Sequence, residues 1–217
     1  MFLRAAVLLS LISAVAVAEE SPSPIAPAVE VNDVSVHGAP TLGQWKRGQS
    51  VMLGFPLIGV KASIGLFDRL DFGLGFQSYY GLMNEFLAFI KVGIFRGTRW
   101  SFSAVVEGSG AFFVEPMEVR GSRWVTGHRN YGLSPGILLT YQATSLGARW
   151  FAQVDYLATF ETAPVGSTGH NVRAHLGAEL PLSPKISFVF LVGIGVHGRV
   201  EDSPLMPTAS LGIVTGF

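Results

Sequence analysis

From residue 49 to the last residue the chain alternates. Bulky apolar residues take every second position, and small or polar residues take the positions between. Alternation of period two places the two sets on opposite faces of a strand. The pattern predicts ten strands: 49–56, 58–67, 70–80, 85–95, 100–113, 131–142, 148–160, 171–181, 186–197 and 207–217. The eighth is the cleanest, with Val172, Ala174, Leu176, Ala178 and Leu180 against Arg173, His175, Gly177 and Glu179. The tenth sets Ala209, Leu211, Ile213 and Thr215 against Thr208, Ser210, Gly212, Val214 and Gly216, and ends on Phe217.

The bulky set is the apolar one, and the other set is small or charged. A β-sandwich with a wetted surface alternates too, but its outer face carries abundant charge. Here only 14% of residues are charged, against the quarter or so usual in soluble domains. Strands of about ten residues with an apolar outer face are the length and pattern of tilted membrane strands. The expected fold is all-β: an antiparallel up-and-down transmembrane β-barrel over 49–217. It has about ten strands, with eight or twelve as alternatives because 29–56 reads ambiguously. Closure satisfies every backbone group between strands, which a lipid environment demands.

Connections near 67–70, 96–99, 144–147 and 182–185 are short. Those at 114–130, 161–170 and 198–206 are longer. That asymmetry puts short turns and both barrel ends on the periplasmic side and long loops outside. Aromatics gather near strand ends, among them Phe67, Tyr79, Tyr80, Phe95, Trp100, Phe113, Tyr131, Tyr141, Trp150, Phe160 and Phe217, as in interfacial girdles.

Residues 1–18 have the order of an export signal. Arg4 is the positive start, Ala5 to Ile12 the apolar run, and Ala16-Val17-Ala18 a small-x-small cleavage site before Glu19. Residues 19–48, opening with Ser-Pro-Ser-Pro-Ile-Ala-Pro, read as a Pro-rich linker or a short plug segment. Loss of Arg4 with the signal leaves 14 basic and 15 acidic residues, a balance unsuited to nucleic acid. There is no cysteine, so thiol and disulfide chemistry are excluded.

The ten strands, the signal and the chain end together resemble bacterial outer-membrane β-barrel proteins of Gram-negative cells. In that class the last strand carries a signal for the barrel-assembly machinery, which Ser210, Gly212 and Phe217 match. Thr215 stands where a bulky hydrophobe is usual. The resemblance implies integral outer-membrane localisation, with lipid, lipopolysaccharide and, during biogenesis, the assembly machinery as partners. It assigns no activity and no cofactor, and a monomer is expected.

Candidate chemistry lies on the inward set: Lys61, Asp71, Glu85, Lys91, Glu107, Arg149, Asp155, Arg173, His175 and Glu179. Charges inside a narrow barrel must be paired or wetted. They form either a network that fills the lumen or, with inward glycines leaving room, a polar path for ions or small solutes. Arg120, Arg123 and Arg129 in the long loop suit phosphate contacts. His128, His170 and His197 lie near the outer rim, but opposite facing of the last two speaks against a metal site. An enzyme acting on lipid or peptide is the third reading. His175 and Glu179 stand four residues apart along a strand, and Ser187 and His197 further still, too far for a nucleophile and its base. The sequence thus points to an integral barrel with no defined catalytic activity, structural or with a narrow polar lumen, and to a small porin-like channel as the alternative.

Overall fold

The computed structural model describes residues 34–55, 57–81, 83–113, 129–143, 147–163, 166–196 and 205–217. The signal sequence, Arg120, Arg123, His128 and His197 lie outside the described residues. Ten strands run in chain order: β1 Arg47–Phe55, β2 Ile58–Phe67, β3 Leu70–Ser78, β4 Met83–Arg96, β5 Trp100–Phe113, β6 Arg129–Gln142, β7 Arg149–Ala163, β8 Ser167–Ser183, β9 Ile186–Val196 and β10 Leu205–Gly216. Each pairs antiparallel with its neighbours, and β1 pairs with β10 to close the barrel. The closing ladder runs from Gly48 opposite Gly216 to Phe55 opposite Ala209. At its end Arg47 and Phe217 exchange both backbone hydrogen bonds, at 3.2 and 3.0 Å. The ten-strand reading is therefore the one the fold adopts.

Apolar residues of the outward set, such as Leu53, Phe86, Ile137, Leu176 and Ile213, are exposed along the whole wall. That is an unfavourable surface in water and the expected one against hydrocarbon. Tyr79 departs from the girdle expected of it. It is buried at the start of the β3–β4 turn, while Tyr80 takes a left-handed backbone (φ 47°) and stays exposed. The Tyr80 hydroxyl donates to the Gly54 carbonyl at 2.6 Å, tying that turn to the tip of β1.

One end, the lower, holds the tight turns 68–69, 97–99 and 184–185, the start of β1 and Phe217. The upper rim is uneven: β1 to β3 have nine or ten residues each, β4 to β8 have 14 to 17. The long loop expected over 161–170 is absent, because β7 and β8 continue through Ala163 and from Ser167. Their upper pairs, such as Thr159 with Gly169 and Phe160 with Thr168, are polar or small on one side. Such residues resemble a loop in sequence, although the ladder continues through them.

The lumen is not uniformly polar. Met52, Leu87, Phe89, Val105, Leu138, Phe151, Val189 and Val214 are inward and buried. The inward glycines leave less room than expected. A Cβ on Gly73 would lie 2.2 Å from the Phe89 ring, one on Gly177 2.3 Å from Phe151, and one on Gly193 2.3 Å from His175. These positions are sockets for large rings on the neighbouring strand, the pairing by which an aromatic covers a strand glycine.

Candidate functional site

Residues 34–42 lie inside the barrel and almost all are buried. Their apolar side chains complete a small core within the lower lumen. Val34, Val36 and Leu42 pack with Met52, Phe151, Val189 and Val214, and Ala39 packs with Phe89, Val105 and Leu138. Each fully buried Val or Leu contributes about 1.5–3 kcal/mol of transfer free energy. Gly48 on β1 makes the space: a Cβ there would lie 2.8 Å from Val34 and 3.0 Å from Val36.

A segment without regular structure buries backbone polar groups that need partners. The inward charges supply them. Lys91 pairs with Asp71 at 3.1 Å and also donates to the carbonyls of Ser35, Gly38 and Pro40, at 3.2, 3.2 and 2.8 Å. Asp71 accepts the Leu42 N–H on both carboxylate oxygens. Arg149 pairs with Glu179 at 3.2 Å and donates to the Val34 carbonyl at 2.9 Å, while Glu179 accepts the His37 N–H at 3.3 Å. Ser103 donates to the Ala39 carbonyl, and Thr140 accepts the Ala39 N–H. His37 itself contacts Ser50 through Nε2 at 3.0 Å and stacks on Phe151. Burial, followed by the nearby positive charges of Lys61 and Lys91, pushes the His37 imidazole down to about 3.

The segment leaves the lumen by a tight turn at the lower end. Gly43 and Trp45 both have positive φ, and the Trp45 N–H donates to the Gly65 carbonyl at 2.7 Å. Gly65 is required here, since a Cβ would lie 1.8 Å from the Gly43 carbonyl oxygen.

A second cluster stands in the upper lumen. Arg173 bonds Asp155 through Nε at 2.6 Å, Ser134 at 2.9 Å and Glu107 at 3.4 Å. Asp155 also accepts from Ser134 and Gln153. Glu107 gives its other oxygen to Lys61 at 3.1 Å, joining β2 to β5 and β8 across the lumen. Glu85 accepts from Gln77. His175 lines a cavity of about 110 Å³ above the plug, beside Lys61 and Glu107. The ten inward residues singled out in the sequence thus divide by height. Asp71, Lys91, Arg149 and Glu179 hold the segment 34–42; of the others, Lys61, Glu107, Arg173 and His175 line the space above it, Asp155 backs Arg173, and Glu85 lines a second cavity with Arg173.

The remaining candidates are dispersed. Arg129 is exposed at the start of β6. His170 accepts or donates a 2.6 Å hydrogen bond with Tyr156 on the outer wall. Ser210 and Gly212 lie in the middle of β10, and Phe217 is exposed at the lower end. Among the described residues no group of three or more His, Asp and Glu is placed to hold a metal ion. The missed contributors are Ser35, His37, Ser103 and Thr140. In the sequence the segment was covered only by the reading of 19–48 as a Pro-rich linker or short plug segment.

No family model matches the sequence, and a comparison with curated proteins finds no match. Among solved structures the chain is similar to a bacterial polysaccharide outer membrane secretin, with a TM-score of 0.51 and 8% identity over 76% of this chain. It spans 57% of that protein's length. It is also similar to Neisserial surface protein A (TM-score 0.40, 12% identity, 80% of this chain and 98% of that one). A third likeness is to the KdgM porin solved with disordered oligogalacturonate (TM-score 0.41, 7% identity, 79% and 99%). At such identities the likeness is one of fold, and the fold is a closed antiparallel β-barrel of the kind found in bacterial outer-membrane proteins.

Proposed function

We propose that the protein is an integral outer-membrane barrel whose lumen is closed by its own N-terminal segment, and that it does not conduct in this form. Export through a signal cleaved after Ala18 places the lower end in the periplasm and the upper rim outside, following the usual short-turn side. The observation that carries the reading is the embedded segment 34–42. Its backbone is held by Lys91, Asp71, Arg149, Glu179, Ser103 and Thr140, and its side chains share a core with the wall. A ten-stranded barrel is somewhat wider than one its side chains alone would fill, and the segment takes up that width in the lower lumen. The five inward acids singled out in the sequence each hold a hydrogen-bond or ion-pair partner, the arrangement of a structural network rather than of a free general base.

The porin-like alternative has a specific basis in the same geometry. A plug joined to β1 by the tight turn at 43–46 can be withdrawn without breaking the strand ladder, and the upper cavity lies directly above it. Planar-bilayer recording separates the two. The mature chain is expected to give no stable single-channel steps, and deletion of residues 19–42 is expected to produce them. Stable steps from the intact mature chain at pH 7.5 would overturn the closed-barrel reading.

A further inference from the structure

The cavity above the plug extends to the β1–β2 tip at the upper rim. It touches the inward Gly59, Lys61 and Gln77 of β2 and β3 and also their outward neighbours Val60 and Phe76. Val60 and Phe76 pair in the β2–β3 ladder, and beside Gly59 and Gly75 their main chain is bared to the lumen, so the cavity meets them from inside. The tip is the low side of the rim. β1 ends at Phe55 opposite Ala209, while β10 continues upward beside β9 to Leu205 opposite Val196. Phe55 and Leu57, at the β1–β2 tip, line the cavity and Phe55 is exposed on the apolar wall.

The inner end of the cavity is polar and holds unsaturated donors. Lys61 has three N–H donors. It shares Glu107 with Arg173, and its side chain remains 30% exposed. On the facing β10, the Thr208 hydroxyl is buried and has no hydrogen-bond partner among the described residues. A buried unsatisfied hydroxyl is costly, and other atoms of Thr208 line the space that Lys61 faces. The cavity holds a small head group and a few methylenes, and its mouth opens onto apolar wall.

We infer that this rim notch binds a single-chain amphiphile with an anionic head group. The head lies between Lys61 and Thr208, and the acyl chain leaves over the β1–β2 tip along Phe55 and Leu57. This rests on the membrane-barrel reading, which places the notch at the level of the outer leaflet.

The test uses the mature chain in phosphatidylcholine nanodiscs, with empty nanodiscs subtracted, and 11-(dansylamino)undecanoic acid as the probe. Laurate is expected to displace the probe at least tenfold better than dodecyltrimethylammonium, and acetate is expected not to displace it. Lys61→Met, which leaves Glu107 to Arg173, is expected to weaken laurate about tenfold, the scale of one charge-assisted hydrogen bond. Thr208→Trp, which fills the notch, is expected to abolish probe binding. Heat-modifiable migration of the same samples reports folding. Inserted, folded protein that binds no more probe than empty discs overturns the site alone, as does equal displacement by the cation or laurate binding unchanged in both folded variants. Failure to insert overturns the barrel reading and the site with it. A head-group effect without a chain requirement, seen as displacement by acetate, would overturn the amphiphile.

Discussion

Lys91 and Asp71 stand directly opposite each other on β4 and β3, with Nζ and Oδ2 3.1 Å apart, and both turn their remaining hydrogen-bonding capacity to residues 35–42. The same design recurs on the far wall, where Arg149 is in register with Glu179 and the pair holds Val34 and His37. Each pair is therefore set by the sheet register before the segment arrives. Neutral segments without secondary structure can then dock by filling vacant donors and acceptors.

Truncating one member leaves the other buried and uncompensated. Lys91→Met is expected to destabilise the barrel by about 3–5 kcal/mol, read as a lower urea midpoint of heat-modifiable migration. Lys91→Met with Asp71→Leu is expected to recover part of the loss, because it removes the stranded carboxylate. Equal loss in the single and double variants would show that the segment's lost carbonyl contacts, rather than the bare charge, dominate.

The plug depends on the absence of a side chain at Gly48. Gly48→Leu would occupy the positions of Val34 and Val36 while leaving the β1 ladder intact. The chain has no native cysteine, so Ser35→Cys provides a single reporter of docking. In the otherwise native barrel this buried position is expected to resist a water-soluble maleimide. Adding Gly48→Leu is expected to raise the labelling rate by an order of magnitude or more. Rapid labelling without Gly48→Leu would mean that the segment does not stay docked.

The wall was legible in the sequence because period two needs no knowledge of partners. Leu53, Leu176 and Ile213 lie on the outer face for the same reason that Lys91 and Arg173 lie on the inner one. Which charges meet was not legible. Asp71 and Lys91 are paired through register, and register follows from turn geometry and bulges such as that between Gly65 and Phe67. What a plug segment within 19–48 would touch was not legible for a different reason. Val34 to Leu42 has no strong periodicity, and its partners Phe89, Val105, Leu138 and Phe151 look like interruptions in an otherwise small or polar inner face. Only the closed barrel shows that these interruptions form one surface.

The match of Ser210, Gly212 and Phe217 to an assembly signal has its own test. Phe217 is 70% exposed and contributes mainly backbone pairing to Arg47. Phe217→Ala is thus expected to leave the stability of the folded barrel within about 0.5 kcal/mol, as for surface positions, but to lower the amount assembled in cells. Assembly and heat-modifiable migration both unchanged would remove the signal role from this end.

Docking of the plug is expected to weaken in acid. His37 is neutral in the lumen, with its folded value held near 3 by burial and by Lys61 and Lys91, while an undocked segment has the ordinary value near 6.5. The docked form therefore binds fewer protons. Its stability is complete above about 6.5 and falls as pH drops from there towards 3. Ser50 at Nε2 is the contact that protonation alters, because a protonated ring nitrogen can only donate there. In planar bilayers the mature chain is expected to stay silent at pH 7.5 and to open increasingly below pH 6. His37→Gln, which keeps a hydrogen bond to Ser50 without a titrating group, is expected to suppress opening between pH 6 and 5. Identical acid opening in the native and His37→Gln chains would assign the effect to the lumen carboxylates instead.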